Sequence, residues 1–549
     1  MNKIYSAITI GPIYETLERA RKTRALWASS YFFSWFMKNL IIRLKEKGYT
    51  ILLPALKSKN PNDLLFHSKH GAGLYADRLY FSYDAQKGRN PNLIIQIIQE
   101  MILTASKELK KELKNELKID NNYLSQYLNL HVVEIENNGG VFPLQELNEM
   151  LDLAELHLNA PLCEGDIHKL AEIFENIDIR SFLYNDAFEN SENLVHNDSR
   201  IFPSLSEIAT ATLGNIPENV KEKLKKNTQG IQEDEELFKI LNNHKIRFFP
   251  FHKYYALIYT DGDGIGSILA QLSKNKENVV NNLQCFSEKL FEFSKKSEEI
   301  LYNYGGRLVY GGGDDLMALA PIVGKQENDF KTLFWLVNEL DHAFSETMKD
   351  LVNELNMQGI HITIPTLSYG IMIGYYKHPL KEARWEAQEL LSRKYKDGKN
   401  IVAIRFQKHS GQLMEAVIHK NNKQSWSKIL ELTQKNKYLP YYNASNGNEI
   451  KLRKNDLLSG IIHRLKDEIF ETTLIEALKN NKLEIFIKNS FNESIHQNND
   501  FLKEFKDLAS LTFMEYCKEE TPLLCEIQKF KNTLYVVLRY IHFINSDKE

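Results

Sequence analysis

Carboxylates follow two apolar segments that have the composition of β-strands. The run YYALIYT (residues 254–260) leads into Asp261-Gly262-Asp263-Gly264, and RLVY (residues 307–310) leads into Gly311-Gly312-Gly313-Asp314-Asp315. Neighbouring strands of a sheet lie about 4.8 Å apart, so acidic side chains at adjacent strand ends can converge on one point. The pattern predicts that Asp261, Asp314 and Asp315 form one cluster.

Clustered carboxylates repel one another unless cations neutralise them, and ligands that are all oxygen select Mg²⁺ or Mn²⁺ over zinc. Two such ions can activate a hydroxyl group and stabilise the pyrophosphate that leaves ATP. Glycine lets the backbone approach a ligand closely. We therefore expect metal ligands at the three aspartates and nucleotide contacts at Gly262, Asp263, Gly264, Gly312 and Gly313. The alternative, a glycine-rich turn whose aspartates only cap a hairpin, is disfavoured because two acidic turns occur on predicted neighbouring strands.

Three residues outside the acidic turns are further candidates for nucleotide contact. Lys394 lies near the end of a predicted helix, from which it could reach a triphosphate or simply stabilise the helix end. Asp77 and Arg78 lie between apolar residues of GLYADRLYF (residues 73–81). An unpaired charge is costly in such a position, so the two residues either pair with each other or face a ligand.

Composition sets outer limits on the function. The 549 residues carry a formal net charge of -3, so any nucleic-acid surface is local or is supplied by partner chains. The four cysteines form no C-x-x-C pair, which argues against a disulfide framework or a four-ligand zinc site and favours a reduced, cytoplasmic compartment. The sequence contains no G-x-x-x-x-G-K-[ST] loop, which argues against a Walker NTPase. We also expect no membrane-spanning segment.

The fold class predicted from the elements is α/β plus α. Residues 1–141 show the order strand, helix, strand, strand, helix, strand, with one long helix from about Glu15 to Lys47. Residues 246–409 show the same order with an added helix and strand, so both units should be ferredoxin-like palm folds. Residues 142–245 are expected to form a helical connecting domain, and residues 410–549 a C-terminal helical bundle.

Several segments resemble one known family. YGGGDD and DGDGIG look like the palm domain of the large polymerase-like subunit of type III CRISPR effector complexes. ITIGPIYETLERARKTRALWASSYFFS resembles the Cmr-type (III-B) version, and GLYADRLYF, RIFPSLSEIATA and NIVAIRF are similar to segments at matching places. The resemblance covers most of residues 3–406. The palm alone is shared with GGDEF cyclases and class III nucleotidyl cyclases.

The resemblance implies a subunit of an antiviral Cmr-type complex, which binds the other Cmr subunits, guide RNA and target RNA. Target RNA would switch on metal-dependent nucleotidyl transfer from ATP, with Asp261, Asp314 and Asp315 holding Mg²⁺ or Mn²⁺. Cyclic oligoadenylate is the product that the family implies. The first unit has no acidic hairpin, so it would be inactive but would shape the second nucleotide pocket, with Asp77 and Arg78 as its candidates.

Alternatives remain open at this point. The family often carries an N-terminal HD nuclease domain, whereas the first strand here begins at residue 3, so we expect no nuclease activity. Short members resemble a subset that couples ATP to S-adenosylmethionine and makes an adenylated S-adenosylmethionine by the same palm chemistry. Two further alternatives are a catalytically silent RNA-binding scaffold and a free-standing cyclase outside CRISPR.

Overall fold

The structure is a computed structural model, and it describes most of the chain. The described residues are 3–56, 66–84, 91–112, 123–137, 142–156, 164–175, 177, 181–188, 202–213, 220, 234–246, 248–274, 278–324, 331–434, 456–491, 500–519 and 522–546.

The first unit contains a four-stranded antiparallel sheet in the order β2-β3-β1-β4. Its strands are β1 (Lys3–Gly11), β2 (Thr50–Leu53), β3 (Arg78–Asp84) and β4 (Asn129–Asn137). This is the strand order of a ferredoxin-like fold, so the predicted fold of this unit is confirmed.

The long N-terminal helix is broken near its start. The structure has α1 (Ile13–Arg19) and α2 (Thr23–Glu46) where the sequence predicts one helix, because Ala20 adopts an extended backbone. No proline or glycine marks the break in the sequence. The Thr23 hydroxyl donates a hydrogen bond to the Pro203 carbonyl at 2.6 Å, so a contact distant in sequence fixes the start of α2.

The second unit contains six strands in the order β10-β9-β8-β5-β7-β6. The four strands β8-β5-β7-β6 repeat the ferredoxin-like order, and β9 runs parallel to β8. Their apolar residues are almost all buried, which explains why the strands read as continuous apolar runs. The strands are β5 (Tyr254–Asp263), β6 (Arg307–Gly311), β7 (Leu316–Pro321), β8 (Thr366–Tyr375), β9 (Ile401–Gln407) and β10 (Leu413–His419).

Strand β10 corrects the prediction that the chain is helical after residue 410. It pairs antiparallel with β9 along its whole length, so the second sheet extends to His419. A short strand at a sheet edge carries little periodic signal, which is why the pattern missed it.

Helices pack around both sheets. Among the described helices, none is both long and apolar enough to cross a lipid bilayer. The helices after α2 are α3 (Pro91–Glu112), α4 (Tyr123–Tyr127), α5 (Leu144–Glu155), α6 (Glu164–Glu175), α7 (Phe182–Phe188), α8 (Leu205–Ala209), α9 (Asp234–Asn243), α10 (Ile265–Lys274), α11 (Val279–Tyr304), α12 (Leu333–Met357), α13 (Leu380–Ser392), α14 (Lys394–Asp397), α15 (Lys423–Gln434), α16 (Asp456–Arg464), α17 (Glu468–Lys479), α18 (Leu483–Ser490), α19 (Asp500–Tyr516) and α20 (Leu524–Ile544).

Residues 66–75 join the first unit to the edge of the second sheet. The Gly311 N–H donates to the Gly73 carbonyl at 2.8 Å, and the Gly73 N–H donates to the Val309 carbonyl at 3.3 Å. Gly73 thereby forms a parallel bridge with Tyr310 on β6. The first unit thus braces the strand that leads into the acidic hairpin.

A buried carboxylate holds this bridging segment in place. Glu298 on α11 is only 3% exposed. Its oxygens accept hydrogen bonds from the backbone N–H groups of Lys69, His70 and Ala72 at 2.9, 3.0 and 3.2 Å. Buried backbone donors need such partners, so Glu298 fixes the segment where it meets β6.

Candidate metal and nucleotide site

Three carboxylates meet at one edge of the second sheet. Ligand oxygens of Asp261, Asp314 and Asp315 lie within 4.8 Å of one another. Asp261 lies near the end of β5, and the other two lie in the turn between β6 and β7. Strands β5 and β7 are antiparallel neighbours with Thr260 opposite Leu316, so the register brings the two acidic turns together. The structure shows the convergence that the spacing predicts, and the role of these residues as metal ligands stays a prediction.

Backbone and hydroxyl groups fix the geometry of the acidic hairpin. The Thr260 hydroxyl donates to the Asp314 carbonyl at 3.2 Å and accepts from the Leu316 N–H at 3.2 Å. The Ser294 hydroxyl donates to the Gly313 carbonyl at 3.2 Å. These contacts come from β5 and α11, so the hairpin is held from two sides.

Glycine is required where the two acidic turns touch. A Cβ atom at Gly262 would lie 2.7 Å from the Cβ and from a carboxylate oxygen of Asp314. The Gly262 N–H donates to that carboxylate. Gly313 has a φ of 98°, a left-handed conformation that glycine adopts without strain. Gly312 donates its N–H to the Asp315 carbonyl at 3.1 Å, and Gly264 begins the turn into α10.

Burial disfavours the ionised form of the hairpin residues Asp314 and Asp315. Desolvation raises the pKa of Asp314 to about 6, although the Gly262 N–H opposes the shift. Asp315 is exposed on one side, but the protein around it and the charges of Asp314 and Asp77 raise its pKa to about 7. A divalent cation would relieve this unfavourable accumulation of negative charge.

Lys394 lies against the cluster. Its ammonium forms an ion pair with Asp261, and the side chain is only 7% exposed. Burial, followed by the nearby charge of Lys399, lowers the pKa of Lys394 to about 8. A lysine on a flexible four-carbon stem can neutralise a carboxylate and can also turn towards a phosphate.

Asp263 and Arg78, which the sequence predicts as nucleotide contacts, bind other residues of the protein with their side chains. The carboxylate of Asp263 accepts from the hydroxyls of Thr366 and Ser368 at 2.8 and 2.9 Å and from the Asn400 N–H at 2.9 Å, away from the three-carboxylate cluster. It therefore holds strands together, and we withdraw it as a nucleotide contact. The Gly-Asp-Gly-Asp pattern alone could not distinguish the two aspartates.

Arg78 also requires a correction. Its guanidinium pairs with Asp152 at 2.6 Å and Glu155 at 3.1 Å on α5, rather than with Asp77. Both partners lie more than seventy residues further along the chain. Since Arg78 anchors α5 to the first sheet, we no longer propose that it contacts a nucleotide.

A cleft of about 580 Å³ lies between the acidic hairpin and the first unit. This volume is in the range of small-molecule sites. Asp77 lines the cleft, and burial raises its pKa. No lysine or arginine lines it among the described residues. The acidic residues that line it are Glu15, Asp77, Glu155 and Asp315, and the aromatic ones are Tyr14, Phe33, Tyr75, Tyr259 and Tyr310.

The sequence analysis missed several of these cleft residues. Glu155 ends an amphipathic helix, where an acidic residue normally faces solvent, and only the fold shows that it reaches Thr9, whose hydroxyl donates to it at 2.8 Å. Tyr310 could have been identified from the sequence, since it directly precedes the glycines of the hairpin. Burial, and next the charge of Asp77, raise its pKa.

The sheet order and the paired acidic turns define a palm-domain protein of the cyclase and polymerase type. Residues 254–403 match the family model for the second palm domain of Cas10/Cmr2, and residues 5–122 match that for the N-terminal part of the CRISPR-associated protein Cmr2. The two matches cover different parts of the chain, and both agree with the family that the sequence resembles.

Individual relatives agree with these matches. The CRISPR system Cmr subunit Cmr2 of Pyrococcus furiosus is 28% identical over 181 residues, which is 29% of this chain and 19% of that protein. The chain is thus matched over less than a fifth of that relative's length.

Among solved structures, the apo state of a type III-B Cmr-beta complex contains a chain with a TM-score of 0.54 at 14% identity, covering 89% of this chain and 77% of the other. A chain of the type III-B Cmr-beta complex bound to cognate target RNA has a TM-score of 0.50 at 13% identity, covering 99% of this chain and 83% of the other. A chain of a Csm1-Csm4 cassette in complex with AMPPNP has a TM-score of 0.50 at 12% identity, covering 98% of this chain and 70% of the other. At these identities the likeness concerns the fold alone.

The contact between Gly262 and Asp314 generates the first prediction. Gly262→Ala should displace the Asp314 carboxylate and weaken Mn²⁺ binding by about tenfold or more. Gly266→Ala is the matched control, because a Cβ there meets no atom within 4 Å. Electron paramagnetic resonance of Mn²⁺ titrated into the purified chain measures both. Equal affinities for the two variants would contradict the role assigned to Gly262.

The raised pKa values of Asp314 and Asp315 generate the second prediction. Their folded-state values of about 6 and about 7 exceed the usual 3.8. The folded state therefore binds more protons than the unfolded state between pH about 4 and about 7, so without metal this pair makes stability fall as pH rises through that window. Thermal unfolding midpoints should show this slope in the wild type and a flatter one in Asp314→Asn/Asp315→Asn. Identical slopes would contradict it.

Proposed function

We propose that this chain is the nucleotidyltransferase subunit of a type III-B CRISPR complex and makes a second messenger from ATP after target RNA binds. The observation that carries the proposal is the meeting of three carboxylates beside Lys394 at the edge of a Cas10/Cmr2 palm. The other Cmr subunits, guide RNA and target RNA are the proposed partners. A solved Cmr-beta complex bound to cognate target RNA, which shares this fold, supports that part of the proposal. We place the complex in the cytoplasm.

Asp261, Asp314 and Asp315 are suited to hold Mg²⁺ or Mn²⁺. Their donor atoms are all oxygen, and burial raises the pKa of both hairpin aspartates, so a divalent cation would offset the cost of their charges. When bound, such ions supply electrostatic stabilisation of the α-phosphate and of the departing pyrophosphate.

The remaining residues bind and orient the substrates. Lys394 would exchange its contact with Asp261 for the triphosphate of ATP. The backbone of Gly264, Gly312 and Gly313 is half-buried and that of Gly262 is buried, and at all four positions the lack of a side chain would allow close approach. An acceptor hydroxyl then attacks the α-phosphorus. A new P–O bond forms, the bond to pyrophosphate breaks, and the hydroxyl loses its proton.

The acceptor decides the product. Cyclic oligoadenylate, the product that the family resemblance implies, requires a second adenosine triphosphate as acceptor. A triphosphate in the cleft would face Glu15 and Asp77 with no lysine or arginine among the described lining residues, while Glu155 is paired with Arg78 and Asp315 would be occupied by the metal. Like charges at short range in a partly buried site are strongly unfavourable.

The same cleft suits a cationic acceptor, which favours the second candidate product. S-adenosylmethionine carries a sulfonium, an ammonium and a carboxylate group, so its net charge is positive, and its two cationic groups are attracted to carboxylates and to aromatic faces. Asp77 and Tyr310 lie beside the hairpin that carries Asp315. We therefore propose adenylated S-adenosylmethionine as the product that the cleft favours, with cyclic oligoadenylate as the alternative.

Product masses test the proposed reaction. The assembled complex is incubated with labelled ATP, target RNA and Mg²⁺ or Mn²⁺, with and without S-adenosylmethionine. We expect a product only with target RNA and divalent cation, and its mass identifies the acceptor. Asp314→Asn/Asp315→Asn should abolish synthesis and leave complex assembly, measured by size-exclusion chromatography, unchanged.

Each contrary result points to one alternative. Retained synthesis by the double variant would remove the metal-ligand assignment. Absence of product under all conditions would favour the scaffold, and product from the isolated chain without RNA would favour a free-standing cyclase.

The acceptor cleft generates a separate prediction. Asp77→Asn removes a charge that faces the cleft and should raise the KM for S-adenosylmethionine by about tenfold, which corresponds to about 1.4 kcal/mol. Asp350→Asn is the control, because its side chain is exposed on α12 and lies outside the cleft lining. Steady-state kinetics of the complex measure both. An unchanged KM for Asp77→Asn would exclude this carboxylate from the acceptor site.

A further inference from the structure

A second charged cluster lies behind the carboxylate site, and the proposed reaction does not use it. Its centre is Lys420, which follows β10 and whose side chain is only 3% exposed. The ammonium donates to both carboxylate oxygens of Asp341 on α12, at 2.7 and 2.6 Å, and to the Leu367 carbonyl on β8 at 3.0 Å. It also lies 4.4 Å from the centre of the Tyr369 ring, and the Tyr369 hydroxyl donates to Asp341 at 3.0 Å.

The strand that Lys420 holds lies next to the first acidic turn. In the pairing of β8 with β5, Leu367 is opposite Gly262, and Ser368 is opposite Asp261. The side chain of Lys420 thus binds the backbone of the residue that faces Gly262. Gly262 in turn lies against Asp314, because a Cβ at Gly262 would be 2.7 Å from the Cβ and from a carboxylate oxygen of Asp314, and the Gly262 N–H lowers the pKa of that carboxyl group.

A second route connects the backbone of Lys420 to the same turn. The Lys420 N–H donates to the Asn400 carbonyl at 2.9 Å, and the Asn400 N–H donates to the Asp263 carboxylate at 2.9 Å. Asp263 also receives the Ser368 hydroxyl at 3.0 and 2.9 Å. Both routes end within two residues of Asp261.

Charge explains why a cation stands at this position. Although 26% of the Asp341 side chain is exposed, burial raises its pKa, and Lys420 opposes that shift. The charge of Asp263 adds to the negative potential there. Removing one partner of such a pair leaves an uncompensated charge, whereas removing both is often tolerated.

We propose that Lys420 is a positioning residue: it fixes β8 against the end of β5, so that the Gly262 N–H stays aimed at Asp314 and the three carboxylates keep the spacing that a divalent cation needs. This inference rests on the proposed function, because it assigns Lys420 a role in metal binding. Lys420 itself touches neither substrate nor metal.

The test compares three variants of the full chain in the assembled complex. Lys420→Met removes the ammonium, and Lys420→Met/Asp341→Asn removes both charges, which keeps the test valid where the single variant fails to fold. Lys428→Met is the matched control. This lysine is also largely buried and pairs with Glu431, Glu504 and Asp507, but on C-terminal helices away from β8.

Mn²⁺ affinity, measured by electron paramagnetic resonance, is the readout that a merely structural role would not change. We expect the Mn²⁺ dissociation constant of the double variant to rise about tenfold, as for other residues that orient metal ligands. The Mn²⁺ concentration needed for half-maximal synthesis should rise equally, with the rate recovered at saturating Mn²⁺. Lys428→Met should match the wild type in both.

An unchanged Mn²⁺ affinity in a folded double variant, with only a lower thermal unfolding midpoint, would overturn the positioning role and leave the proposed function intact. A wild-type complex that binds no Mn²⁺ would instead overturn the proposed function, and the role of Lys420 would fall with it.

Discussion

Three carboxyl groups whose ligand oxygens lie within 4.8 Å of one another are the constraint on which this structure depends. Side chains free to move would separate, so the fold must force them together, and it does so through the backbone pairing of β5 with β7. Gly262 allows the two turns to touch, and Lys394 neutralises Asp261. Burial raises the pKa of both Asp314 and Asp315, and the charges of Asp314 and Asp77 add to the shift of Asp315. In the proposed function, a divalent cation offsets this cost.

The two α/β units contribute different parts of the site. The second sheet supplies the clustered carboxylates, whereas the first unit braces β6 through Gly73 and forms the far wall of the cleft. Glu298 keeps the bridging segment in place by binding its backbone N–H groups. The first unit therefore supplies an acidic and aromatic wall of the cleft, and in the proposed reaction this wall favours a cationic acceptor.

Much of this arrangement was predictable from the sequence because its signals are local. Continuous apolar runs that end in glycine and aspartate identified the strands and the three converging carboxylates. The roles of Asp263 and Arg78 were not predictable, since their partners lie far along the chain: Asn400 for the first, and Asp152 and Glu155 for the second. The cleft and the ion pair of Lys420 with Asp341 also depend on distant contacts, which no local pattern encodes.

Anomalous X-ray diffraction from the protein crystallised with Mn²⁺ and a non-hydrolysable ATP analogue would show whether the three carboxylates hold a metal ion beside the nucleotide. We expect an Mn²⁺ peak bounded by Asp261, Asp314 and Asp315, at about 2.0–2.2 Å from their oxygens, as hard octahedral cations require. We also expect the Lys394 ammonium to leave Asp261 for a phosphate. A structure with the nucleotide bound but no metal among these carboxylates, and with Lys394 still on Asp261, would contradict both expectations.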